Sequence, residues 1–186
     1  RGGNTLLLGG ITGETAEAVN VIEIVNSSFS GSITGDNSDG NSCFAGIIGK
    51  ISHASNEATE WKMNTVALSG TVENTAARTN QRIGGLIACI NGYSSSDNVY
   101  NSRKLALNGV TANGLTVNGT VSNTDSKSGG LLGFSWYNTD VEFQSVTIGG
   151  ITGCTVSMDN LDGYGNFAGL VYAGTGNWKV TDLDIS

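Results

Sequence analysis

Gly129-Gly130-Leu131-Leu132-Gly133 returns, with small changes, all along the chain. Its counterparts are Ala45-Gly46-Ile47-Ile48-Gly49, Gly84-Gly85-Leu86-Ile87-Ala88 and Ala168-Gly169-Leu170-Val171-Tyr172. The second residue of each is a glycine, at 46, 85, 130 and 169, so the steps are 39, 45 and 39 residues. Thr5-Leu6-Leu7-Leu8-Gly9 reads as a weaker copy 40 residues before the first. Gly9-Gly10-Ile11-Thr12-Gly13 competes for that register, because it is repeated as Gly149-Gly150-Ile151-Thr152-Gly153. A fixed period of this length is the sequence signature of a repeat architecture.

The rest of each period repeats as well. A polar loop follows the anchor, and then comes an alternating stretch: Val21-Ile22-Glu23-Ile24-Val25, Trp61-Lys62-Met63, Leu105-Ala106-Leu107, Val141-Glu142-Phe143 and Trp178-Lys179-Val180. Gly-bounded segments follow, namely Gly31-Ser32-Ile33, Gly70-Thr71-Val72 and Gly119-Thr120-Val121. Alternation puts apolar side chains on one face of a strand and polar ones on the other. Such a unit cannot bury its apolar face alone, but stacked copies can. The predicted fold is therefore all-β, a parallel β-helix of about four to five coils of roughly 40 residues each. Right-handed winding is the expectation. Residues 1–186 are read as a single β-solenoid domain, a fragment of a longer repeat protein. The longer middle period is expected to carry its extra residues at or just after the loop Gly92–Arg103.

At the anchors the sequence resembles the bacterial GLUG motif, Gly-Leu-hydrophobic-Gly. Gly130-Leu131-Leu132-Gly133 matches it fully, Gly46-Ile47-Ile48-Gly49 nearly so, and Ala88 and Tyr172 replace the last glycine in two copies. The resemblance implies a segment of a large secreted or surface protein, with an extracellular scaffold or adhesin-like role and no catalytic residues.

Composition narrows the function classes. A net charge of −7 with only 9 Lys and Arg argues against nucleic acid, since phosphate binding needs clustered cations. No apolar run approaches the roughly 20 residues that span a bilayer, so membrane insertion is not expected. The 28 glycines and the absence of proline fit many short strands joined by tight turns.

Two acidic stretches invite a metal reading: Asp36-Asn37-Ser38-Asp39-Gly40 and Asp159-Asn160-Leu161-Asp162-Gly163. Asp36, Asn37, Asp39, Asp159, Asn160 and Asp162 are oxygen donors of the kind calcium takes. Three short side chains leave most of a shell of about six to eight oxygens to carbonyls and water. The same residues suit a tight turn, which is the favoured reading. Calcium stays the alternative, and no other cofactor is expected.

Counted from each anchor glycine, aromatics recur in the following loop: Tyr93, Trp136, Tyr137 and Trp178. Carboxylates follow, among them Glu57, Glu60, Asp97, Asp140, Glu142, Asp182 and Asp184. In stacked coils such offsets would line up as a stripe. Aromatic faces beside acidic acceptors suit sugar rings, so Tyr93, Trp136, Tyr137, Trp178, Asp97 and Asp140 form a candidate glycan-binding set. The plainer reading is loop packing and a solvated surface, and it is favoured. A polysaccharide hydrolase or lyase is the enzymatic alternative, with Asp97 and Asp140 as the carboxylate pair such a hydrolase would need. His53 is the sole histidine and lies in a polar loop without a nucleophile-elbow context, which argues for a solvated residue. Partners are expected to be glycans, neighbouring repeats or copies of the chain itself, the last making a filament the third alternative. The sequons Asn26-Ser27-Ser28 and Asn118-Gly119-Thr120 would matter in a eukaryotic secretory chain.

Cys43, Cys89 and Cys154 are read as buried reduced thiols. In stacked register Cys43 and Cys89 lie seven residues apart along the strand direction, about 23 Å. That is too far for a disulfide.

Overall fold

The computed structural model describes residues 6–15, 21–35, 42–53, 59–74, 81–92, 103–119, 127–135, 139–149, 166–168, 171–173 and 178–185. Within them the chain is all-β, with no helix. The first repeat supplies β1 (Leu6–Gly9), β2 (Thr12–Thr15), β3 (Val21–Phe29) and β4 (Ser32–Gly35). The second supplies β5 (Ser42–Ala45), β6 (Ile48–His53) and β7 (Thr59–Asn74). The third supplies β8 (Gln81–Gly84), β9 (Ile87–Gly92), β10 (Arg103–Asn108) and β11 (Thr111–Gly119). The fourth supplies β12 (Lys127–Gly129), β13 (Leu132–Ser135) and β14 (Thr139–Gly149), and the fifth β15 (Asn166–Ala168), β16 (Val171–Ala173) and β17 (Trp178–Ile185).

Like pairs with like in three parallel sheets. The first sheet runs β1-β5-β8-β12-β15 and the second β2-β6-β9-β13-β16, while the third collects β3, β4, β7, β10, β11, β14 and β17. Register steps agree between the first two sheets: Leu6 pairs Ser42 as Thr12 pairs Ile48, and Ser42 pairs Gln81 as Ile48 pairs Ile87. The alternating stretches quoted above pair as read, in the order Ile22, Trp61, Leu105, Val141, Trp178.

Gly9 pairs Ala45, so the first anchor is residues 9–13 and not 5–9. The anchors also differ from the continuous strands that the cysteine spacing assumed. In the first four, the first residue ends a strand of the first sheet, two residues bend, and a strand of the second sheet begins. The bends stack on one another: Gly10 N–H donates to the Gly46 carbonyl at 3.0 Å, Gly46 N–H to Gly85 at 2.9 Å, and Gly85 N–H to Gly130 at 3.0 Å. Glycine is needed here because a Cβ on Gly46 would strike the Gly85 carbonyl and the Phe29 ring. The next residue of the bend, Ile47, Leu86 or Leu131, is buried. The anchor pattern is thus a bend whose backbone packs on its neighbours and whose following side chain fills the core.

A second bend lies inside the strands of the third sheet. Asn26, Thr65, Gly109 and Ser145 have φ of 51°, 56°, 62° and 50° and fall at one register position. There the alternation slips by one residue. Trp61 and Met63 are buried on one side of the bend and Val66 and Leu68 on the other, as are Leu105 and Leu107 with Val110 and Ala112. The slip keeps apolar side chains inward while the chain turns.

The third segment read as Gly119–Val121 is corrected. Leu115-Thr116-Val117 pairs with Gly70-Thr71-Val72, and Gly119 pairs with Asn74. The cause is a bulge between Ala112 and Leu115, where Gly114 has a φ of 67°. The other extra residues of the long period enter between β9 and β10, in the Gly92–Arg103 loop as expected.

The main core joins all three sheets and includes Phe44, Ile47, Ile51, Trp61, Met63, Ile83, Leu86 and Leu115. A second, small cluster of Cys43, Ala45, Ala88 and Cys89 lies between the first and second sheets, with Leu7 packed against it.

Candidate functional site

Most of the sequence-predicted site lies outside the described residues: Tyr93, Asp97, Trp136 and Tyr137, and the calcium candidates Asp36, Asn37, Asp39, Asp159, Asn160 and Asp162. Asp140 and Trp178 fall within described strands, and the backbone does not place them in the loop stripe. Trp178 pairs with Val141 on the register position of Trp61 and Leu105, both of which are buried. Asp140 pairs with Lys104 one position earlier. Glu142, Asp182 and Asp184 are also strand residues, not loop residues. Offsets counted along the chain had merged loop and strand positions, because the loop before the third sheet changes length between repeats.

The described strands carry instead a set of charges matched between successive repeats. On the third sheet Glu60 pairs in register with Lys104, and Lys104 with Asp140. Two positions on, Glu23 pairs with Lys62, and Glu142 with Lys179. Glu60 receives Lys62 Nζ at 2.9 Å and Lys104 Nζ at 3.5 Å. Hydrogen bonding from Lys62 lowers the Glu60 carboxyl below its ordinary value, slight desolvation opposes this, and the charges of Lys62 and Lys104 reinforce it. Opposite charges facing each other across adjacent strands stabilise the pairing.

On the second sheet Glu14, which pairs in register with Lys50, accepts hydrogen bonds from Lys50 Nζ at 2.6 Å and from Ser52 Oγ at 2.6 Å. Ser52 N–H donates to Thr15 Oγ1 at 3.3 Å. Partial burial raises the Glu14 carboxyl, but hydrogen bonds from Lys50 and Ser52, with the Lys50 charge, outweigh it and leave the pKa below 4.5. Sequence reasoning missed Glu14, Lys50, Ser52 and Lys104. Their signal was a charge opposite a charge one period away, visible only once the register is known.

The cysteines sit on this frame. Cys43 pairs in register with Arg82 on the first sheet, and Cys89 with Lys50 on the second. Both are buried and reduced, as the sequence suggests. Their separation is not the extended-strand distance, since the glycine bend brings the first and second sheets together and both cysteines sit in one buried cluster. The Cys89 thiol beside it and burial push the Cys43 pKa well up, with Arg82 and Lys50 opposing.

Among the described residues no three His, Cys, Asp or Glu side chains are grouped to hold a metal ion. Compared with family models, curated proteins and solved structures, the chain matches none. What the geometry defines is an all-β protein of parallel sheets whose surface charges bind one repeat to the next.

Proposed function

We propose that the chain is a parallel β-helix serving as scaffold or stalk in an extracellular surface protein. The observation that carries this reading is the shared register of the first two sheets, in which every repeat adds one strand to each sheet in chain order. A stack built this way is rigid and extends in one direction, because each repeat touches only its neighbours. The opposite-charge pairs between repeats, Glu14–Lys50 and Glu60–Lys104, favour a scaffold over a binding or hydrolytic surface, since these carboxylates have protein partners. The location is carried over from the resemblance of the bends to GLUG-type repeats.

On this reading the partners are neighbouring repeats or further copies of the chain. Among the described strands β1, β2 and β3 are the edges of their sheets, and Ile11 and Val21 are 58% and 72% exposed. Antibody raised against the folded chain should label intact cells that express it, without permeabilisation. Labelling only after permeabilisation would overturn the surface assignment.

A further inference from the structure

Cys43 and Cys89 lie 46 positions apart in sequence and in different sheets of different repeats, yet share one small buried cluster. Cys43 is 1% exposed and Cys89 2%. The remaining members of that cluster, Ala45 and Ala88, are small, which lets the two sheets approach closely. Two thiols packed in one buried cluster, on strands of sheets that meet there, need only a small side-chain adjustment to reach bonding distance. From the juxtaposition of these two strands we propose that Cys43 and Cys89 are a disulfide-forming pair, stapling the first sheet of the second repeat to the second sheet of the third. The inference stands on this geometry and is independent of the location proposed above.

The oxidant is a small-molecule disulfide such as oxidised glutathione. One cysteine, deprotonated, attacks a sulfur of that disulfide, forming a mixed disulfide and releasing one glutathione thiolate. The other cysteine, also deprotonated, attacks the protein sulfur of the mixed disulfide and releases the second glutathione. The protein dithiol loses two electrons, the oxidant gains them, and the two protons end on the two glutathiones. Burial shields both thiols in the closed fold and holds Cys43 protonated, so exchange proceeds while the repeats are still assembling.

The test is to unfold the reduced chain and refold it in a mixture of reduced and oxidised glutathione. After acid quench, thiols are alkylated in denaturant and peptides mapped without reduction. The expected result is a protein two hydrogens lighter, with a Cys43–Cys89 linked peptide and only Cys154 alkylated. Its melting temperature should exceed that of the reduced form by roughly 5–15 °C, a range set by the length of the closed loop. The Cys43→Ala/Cys89→Ala variant should melt at the same temperature in both buffers. Three alkylated thiols in the folded product, or a link involving Cys154, would overturn the proposal.

Discussion

The left-handed column at Asn26, Thr65, Gly109 and Ser145 offers a pair of opposed perturbations. Thr65 is exposed, with a φ of 56°, a conformation that a β-branched residue adopts at a cost of roughly 1–2 kcal/mol. Replacing it with glycine removes that strain. The greater freedom of glycine in the unfolded chain takes back about 0.5–1 kcal/mol. Thr65→Gly should therefore stabilise the protein by about 0.5–1 kcal/mol. Gly109 is the converse case. A Cβ there would meet Thr65 no closer than 3.6 Å, an ordinary van der Waals distance, so Gly109→Ala adds strain without a clash. It should destabilise by about the same 0.5–1 kcal/mol. Urea titrations followed by circular dichroism read both effects as shifts of midpoint at constant slope. A Thr65→Gly variant less stable than the parent, or a Gly109→Ala variant indistinguishable from it, would refute the claim that the bend is set by left-handed backbone.

Further outcomes follow from the same frame. Gly85→Ala would drive a Cβ into the Gly130 carbonyl and a Leu115 methyl, so it should cost about 2–3 kcal/mol in a urea titration, whereas Gly114→Ala, with open space around it, should cost about 1 kcal/mol from its φ alone. Ser42 Oγ is buried and has no hydrogen-bond partner among the described residues, so Ser42→Ala should be neutral or raise stability by up to about 1 kcal/mol in the same assay. Glu14 has its pKa lowered in the folded state, so its contribution is present above pH 4.5 and lost as pH falls through the folded value. Glu14→Gln should accordingly cost about 0.5–1 kcal/mol at pH 7, an amount limited by solvent screening, and the difference from the parent should vanish in strong acid.

The repeat was legible because stacking leaves a mark on every copy at once. Backbone approach at the bends demands glycine at 46 and 85, and the core demands Ile47, Leu86 and Leu131 at the next position. The alternating stretches were equally plain, and Ile22, Trp61, Leu105, Val141 and Trp178 pair as they were aligned. The bends themselves were not legible. A two-residue turn made of Gly and Ile or Leu reads like the middle of a strand, and that error set Cys43 and Cys89 far apart. The left-handed column escaped notice because four different residue types occupy it. The candidate site fared worse, because offsets from the anchor ignore the loop between the second and third sheets. That loop runs from Gly92 to Arg103 in the third repeat and from Ser135 to Thr139 in the fourth. Trp178 and Asp140 were therefore grouped with loop aromatics and acids when their backbone belongs to the strands.

The central claim is that successive repeats stack in register, one strand spacing apart. Glu23, Lys62, Ala106, Glu142 and Lys179 share one register position, one in each repeat. Spin labels introduced as genetically encoded residues at Glu23 paired in turn with Ala106, Glu142 and Lys179 measure that stacking by electron–electron dipolar coupling. In-register stacking predicts backbone separations of about 10, 14 and 19 Å, growing by one strand spacing of about 4.8 Å per repeat, each with a narrow distribution. Separations that do not increase in equal steps, or a broad distribution for the Glu23–Lys179 pair, would contradict it.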